Sequence, residues 1–226
     1  MTFPSGIVIS CQAPRTSELA NSMVRMAIEA QKGGASAVRL EGVGNVMGAA
    51  DNITIPIIGL RKVTHENGVW ITPQTEDAKE LVEAGAEFVA ADCTGRWGYD
   101  EIEKMVTAGI SVLADIHTVD AALVAEDMGC IAVATTLSGY TGKKPAYHFY
   151  GPDVDLVAQC VAKCTIPVMA EGRYWTPKQI GMARDAGAHA VCVGGGATNP
   201  CMITEHLNVV WDGSWKQKAK GEWVPE

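Results

Sequence analysis

Pro167-Val-Met-Ala-Glu171-Gly172-Arg173 is a short apolar run that stops at a carboxylate, a glycine and an arginine, and Thr176-Pro177 then opens a helical pattern. The same event recurs downstream, where Ala190-Val-Cys-Val runs into Gly194-Gly195-Gly196 before Thr198. Each is a strand that hands over to a helix through glycine. Two successive strand ends of this kind form a phosphate cup in many eight-fold βα barrels, because glycine lets backbone N–H groups approach an anion near a helix N-terminus. Glu171, at the rim of such a cup, is placed for chemistry on a phosphorylated molecule.

Working back from this stretch, the same alternation fills the chain. The apolar runs are Gly6 to Cys11, Ala37 to Leu40, Pro56 to Leu60, Glu87 to Ala91, Ile110 to Ala114 and Ile131 to Ala134. A helical pattern runs from Ser17 to Gln31, with Leu19, Met23, Met26 and Ala27 on one face, and every later gap holds a helix-compatible segment. Continuous apolar strands separated by amphipathic helices imply a parallel sheet covered on both faces, and eight such units close into a barrel. The expected fold is therefore α/β, a single (β/α)8 TIM barrel spanning 1–226, with an open doubly wound sheet as the alternative. No Gly-x-Gly-x-x-Gly follows the first strand, which counts against a dinucleotide fold. The segment 210–226, with Trp211, Trp215, Trp223 and several lysines, breaks the period and is expected to pack on the barrel or on a dimer partner.

The 226 residues suffice for one large domain, and 47% hydrophobic against 19% charged residues is the balance of a packed globular protein. A net charge of −8 excludes nucleic acid and anionic membrane as expected partners, since both are held by excess Lys and Arg. An anionic substrate would need a local cationic pocket. The seven cysteines lie mostly inside apolar runs without metal-ligand spacing, so they read as reduced core residues, with no metal and a cytoplasmic setting. No run has the length of a membrane span.

Gln12, Arg39, Lys62, Asp92, Asp115 and Glu171 stand at or near the C-terminal ends of different strands, which in a barrel converge on one mouth. Taken singly, each could satisfy loop backbone or form a rim salt bridge; six together indicate a site. Alternation turns Arg61 and Lys62 to opposite sides, so one of them enters the mouth. A lysine there acts as a base if desolvation or a cation such as Arg39 lowers its pKa, and otherwise remains a substrate-binding ammonium. His65, His117 and His148 fall in loops near the mouth, whereas His189 and His206 read as structural or exposed. The glycine-rich segment from Leu137 through Lys144-Pro145 to Asp153 reads as a flexible loop able to cover substrate.

These stretches carry a resemblance. Cys11-Gln12-Ala13-Pro14, Pro56-Ile-Ile-Gly-Leu-Arg-Lys62, Ala114-Asp115-Ile116, Thr135-Thr136-Leu137-Ser138-Gly139-Tyr140-Thr141 and Ala170-Glu171-Gly172-Arg173 run in order across nearly the whole chain. Together they resemble the bacterial N-acetylmannosamine-6-phosphate 2-epimerases of sialic acid catabolism. The resemblance implies a barrel that interconverts N-acetylmannosamine 6-phosphate and N-acetylglucosamine 6-phosphate with no cofactor, and a homodimer. It assigns Lys62 and Glu171 as acid/base residues, Gln12, Arg39 and Asp115 as sugar ligands, and Gly172, Arg173, Gly194 and Gly195 as the phosphate cup. One departure stands out: Thr198-Asn199-Pro200 occupies the place of Thr-Arg-Pro, so an arginine contact worth about 1.5–3 kcal/mol is missing. A related or non-phosphorylated N-acylhexosamine substrate, a Schiff-base aldolase using Lys62 and a non-catalytic sugar-phosphate sensor are the rival readings.

Overall fold

The computed structural model describes residues 2–13, 16–65, 68–96, 98–141, 151–213, 215–217 and 223–225. The apolar runs become parallel strands: β1 (Gly6–Cys11), β2 (Ala37–Glu41), β3 (Ile57–Leu60), β6 (Phe88–Asp92), β7 (Val112–Asp115), β8 (Ala132–Ala134), β9 (Val168–Glu171) and β10 (Ala190–Val193). They close in the order β1-β10-β9-β8-β7-β6-β3-β2. β1 pairs with both β2 and β10, which removes the free edges that an open doubly wound sheet would have.

Alternation along each strand sorts the side chains into two layers. Val8, Ala37, Ile58, Leu60, Phe88, Leu113 and Met169 fill the lumen, while Val38, Leu40, Val89, Ala114, Val133, Ala170 and Val191 pack against the surrounding helices. Phe3 plugs the lower end edge-on against Phe88, with ring centroids 5.3 Å apart. His189 fastens that plug through a ring nitrogen 3.0 Å from the Phe3 carbonyl oxygen. The interior is thus a packed core below, and among the described residues Arg39, Asp115 and Glu171 bring charge to its upper layer.

The helices are α1 (Met23–Lys32), α2 (Val43–Ala50), α3 (Thr75–Glu83), α4 (Asp100–Thr107), α5 (Val119–Asp127), α6 (Val154–Lys163), α7 (Pro177–Asp185), the short α8 (Gly195–Thr198) and α9 (Pro200–Trp211). Side chains start several of them. Thr176 and Gln179 form a reciprocal capping box on α7, with Pro177 in the first turn, and Asp153 caps α6. Asn199 caps α9, its Oδ1 accepting from the Met202 N–H at 3.1 Å, with Pro200 next.

Three expectations need correction. The helix expected from Ser17 begins at Met23, after a 3-10 turn at Ala20–Ser22. The chain after β3 does not pass directly into a helix: β4 (Lys62–His65) and β5 (Gly68–Ile71) form an antiparallel hairpin over the mouth. Its base is fastened by Thr72, whose Oγ1 accepts from the Arg61 N–H at 3.0 Å and donates to the Ala90 carbonyl at 2.7 Å. Cys201 is exposed and Cys164 half-buried, although five cysteines are buried and all seven are free. After α9, β11 (Trp215–Gln217) and β12 (Trp223–Pro225) pair antiparallel.

Candidate active site

The upper lumen layer is built from strand ends. Arg39, from β2, is 1% exposed and grips Asp115 from β7, which is 0% exposed, with both terminal nitrogens: Nη1 to Oδ1 at 3.0 Å and Nη2 to Oδ2 at 2.5 Å. Nη1 also reaches Glu171 Oε2 from β9 at 2.6 Å. Thr136, just past β8, donates to Asp115 Oδ1 at 2.6 Å, and Thr135 ties its hydroxyl to the Glu171 backbone at both N and O. A planar fork matched to a carboxylate is what Arg supplies and Lys does not. The arrangement has one consequence for Arg39 as a sugar ligand: Nη1 and Nη2 are occupied by carboxylates, while Nε is buried without a partner.

Burial opposes ionisation on both sides of this cluster. Glu171 is held above the usual carboxylate range by desolvation, against the pull of Arg39, with Asp115 adding to the rise. Burial works against the Arg39 charge as well, but Asp115 and Glu171 outweigh it and the guanidinium stays protonated. Lys62, at the start of β4, opens to solvent in the mouth but is crowded by protein. That crowding, followed by Arg39, pushes its ammonium below the ordinary lysine range, with Glu41, Glu171 and Asp115 opposing. Arg61 turns the other way and pairs with Asp77 at 2.5 Å and Glu80 at 2.6 Å on α3, so Lys62 is the member of the pair that faces the site. A raised glutamate and a lowered lysine over one guanidinium bring a proton donor and a proton acceptor toward neutral pH. Beside Lys62 opens a cavity of about 1020 Å³, lined in part by Glu41, Val43, Asn45 and Val63.

Gln12 sits just past β1 and donates to Ser10 Oγ at 2.7 Å. Its Oε1 is buried without a partner, an acceptor that a ligand N–H or O–H would satisfy. Gly172 and Arg173 follow β9 with φ of 103° and 63°, the left-handed region that aims their backbone away from the strand. The Arg173 guanidinium is committed to the loop after β8: Nε donates to the Gly151 carbonyl at 2.9 Å, Nη1 to the Ser138 carbonyl at 2.8 Å, and the group lies over the Tyr140 ring at 5.7 Å. Ser138 also donates to Asp153 Oδ2 at 2.5 Å, so both ends of that loop are tied together. Its middle, 142–150, with His148, lies outside the described residues, as does the side chain of His65. Gly194 and Gly195 form the turn into α8, whose first N–H groups have no carbonyl within the helix to accept them. Thr198 pins that turn to β1, donating to the Ser10 carbonyl at 3.0 Å.

Asp92 does not join the cluster. Its Oδ1 accepts from the Thr94 N–H at 3.0 Å and hydroxyl at 2.7 Å, and Oδ2 pairs closely with Arg96, so the carboxylate shapes its own loop. His117 is half-buried, with its pKa lowered by desolvation, and His206 stacks on Trp175 at 4.7 Å. Thr135 and Thr136 were missed as site residues. The signal for them was their position immediately after an apolar strand, the same signal that marked Glu171.

Comparison with known proteins supplies an independent line. The family model NanE, described as "Putative N-acetylmannosamine-6-phosphate epimerase", matches residues 23–211. A "Putative N-acetylmannosamine-6-phosphate 2-epimerase" of Caldanaerobacter subterraneus is 37% identical over 90% of this chain and 90% of its own. One of the same name from Cutibacterium acnes is 38% identical over 90% and 92%. Among solved structures, the N-acetylmannosamine-6-phosphate 2-epimerase from Clostridium perfringens superposes with a TM-score of 0.83 at 34% identity, covering 90% of this chain and 92% of that one.

Proposed function

The chain belongs to the N-acetylmannosamine-6-phosphate epimerase family, and from that premise we propose that it interconverts N-acetylmannosamine 6-phosphate and N-acetylglucosamine 6-phosphate. The observation that carries the reading is the buried cluster of Arg39, Asp115 and Glu171 at converging strand ends, with Lys62 near it; burial pushes the lysine down and the Glu171 carboxyl up.

Inverting C2 begins with opening of the sugar ring, which leaves an aldehyde at C1. The C2–H is then acidic, because the electron pair left behind delocalises onto the aldehyde oxygen. One group removes that proton from one face, and a proton returns to C2 from the other, so nothing is gained or lost overall. Lys62 and Glu171 are the two proton-handling groups in this reading. The enolate oxygen needs a fixed positive field, and Arg39 supplies one from beneath the cluster even while it is bonded to carboxylates. Asp115 holds Arg39 in place and presents its remaining acceptor capacity to the sugar, and Gln12 offers its unpartnered Oε1.

For the phosphate, the backbone of Gly172 and Arg173 and the turn at Gly194 and Gly195 form the cup, with the Arg173 charge close behind. Asn199 caps α9 where the family pattern has arginine, which supports an anion site built chiefly from backbone amides. We also place the chain in the cytoplasm, given its free cysteines, and read it as one domain that forms a homodimer. Leu207 at 63%, Val210 at 42% and Trp211 at 91% exposure leave an apolar patch at the end of α9 that a second copy would cover. Sedimentation of the protein and of a Leu207→Glu/Trp211→Glu variant tests this; a monomeric parent chain would refute it.

The activity is tested by incubating N-acetylmannosamine 6-phosphate with the protein and following the C2 epimer by NMR. A Schiff-base aldolase would instead be trapped on Lys62 by borohydride, with a matching mass increase. A sensor would bind the sugar without turning it over.

A further inference from the structure

Cys192 is a buried group that the acid/base reading does not use. The register of β9 and β10 places its Cα directly opposite that of Glu171. Both side chains turn inward: Met169 and Ala190, two residues before each, belong to the lumen, whereas Ala170, Val191 and Val193 pack outward. Cys192 is 1% exposed, and its side chain stands beside that of Glu171 on the neighbouring strand. We propose that Cys192 is a positioning residue for Glu171, its thiol donating across the β9–β10 pair to hold the carboxylate in the orientation that meets C2.

The thiol suits this role because it does not titrate in the working range. Desolvation, then the Glu171 charge, pushes its pKa well above the ordinary thiol value, with Arg39 opposing. It is therefore a fixed, if weak, donor. The charged and titratable groups around Glu171 are Arg39 from β2, Asp115 from β7, Lys62 at the start of β4 and Cys192 from β10. Arg39 and the Thr136 hydroxyl are both engaged by Asp115, whereas Cys192 faces Glu171 from the neighbouring strand. Donation to a carboxylate favours its charged form, so Cys192 opposes part of the desolvation that raises Glu171.

The inference rests on Glu171 being an acid/base residue, and its test is chosen to be read without activity. Cys192→Val removes the donor at similar size in an apolar wall, and Cys192→Ser keeps a donor. With selectively ¹³C-labelled glutamate, the Glu171 carboxyl should titrate about 0.5–1 unit higher in Cys192→Val than in the parent, and at or below the parent value in Cys192→Ser. The acid limb of kcat against pH should move by the same amount, with KM little changed. Equal Glu171 titration in all three folded proteins would overturn the proposal, as would Cys192→Ser behaving like Cys192→Val. If the carboxyl shifts but none of the proteins epimerises the sugar, the hydrogen bond stands and the proposed function falls.

Discussion

Arg39→Met tests the site as a physical object, independent of any substrate. Methionine matches much of the arginine stem but removes the buried cation that bonds both Asp115 and Glu171. Both carboxylates then remain in a wall that is 0% and 12% exposed, without the counter-charge bonded to them. Removing one partner of a buried ion pair typically costs about 3–5 kcal/mol, mostly because of the charge left behind. For a chain of this size each kcal/mol moves the melting temperature by about 2–4 °C, so the expected loss is about 6–20 °C.

The pH dependence sharpens this expectation. Glu171 is already held above its ordinary range by burial, with Arg39 pulling it down, so without Arg39 it rises further. A carboxyl whose folded pKa exceeds its unfolded value contributes stability in full below the unfolded value, about 4.3 for glutamate, and loses it as pH rises through the folded one. The deficit of Arg39→Met relative to the parent should therefore be smallest near pH 5 and grow toward pH 8. Urea denaturation of both proteins at the two pH values measures it. A loss below about 1 kcal/mol, or one that is the same at both pH values, would refute the picture of a guanidinium that neutralises buried carboxylates.

Lys62→Ala and Glu171→Gln should each lower kcat by about 10²–10⁴-fold, with unchanged far-UV circular dichroism; near-parent rates would remove both from the chemistry. Asn199→Ala should cost about 1 kcal/mol through the lost cap of α9, seen as a fall of about 2–4 °C in melting temperature. Asn199→Arg loses the same cap but should increase the preference for phosphorylated over free N-acetylmannosamine in kcat/KM, provided the turn still has room for a guanidinium. In the parent chain a preference of about a hundredfold, ~2.7 kcal/mol, is expected, and a ratio near one would mean that the cup does not read phosphate.

The barrel was legible because each of its strands is apolar on both faces and short, so the runs stand out against the helices between them. The hairpin β4–β5 was not. Lys62-Val-Thr-His alternates polar and apolar residues and Val69-Trp-Ile is an apolar triplet, both too short to distinguish a hairpin from a loop. The start of α1 was misplaced because Leu19 continues the apolar face of Met23 and Met26 although the backbone there turns as a 3-10 segment. At the site, strand-end position drew attention to Arg39, Asp115, Lys62 and Glu171, but it could not say who holds whom. Arg39 meets Asp115 76 positions away and Glu171 132 positions away, a pairing that only barrel closure creates. Asp92 stands at the same height on its strand yet is taken by Thr94 and Arg96, and that local spacing was readable in advance. The placement of Cys192 opposite Glu171 was hidden for the opposite reason, since a cysteine inside an apolar strand looks like core until the register of β9 against β10 is known.

The central claim is that protons are exchanged at C2 of an N-acylhexosamine phosphate between Lys62 and Glu171. Proton NMR of N-acetylmannosamine 6-phosphate incubated with the protein in D₂O tests it most directly. The H2 resonance should disappear as deuterium enters C2 and the N-acetylglucosamine 6-phosphate signals grow, and neither should happen with Glu171→Gln. Retention of the H2 signal by the parent protein, or exchange that survives Glu171→Gln at the parent rate, would contradict the account.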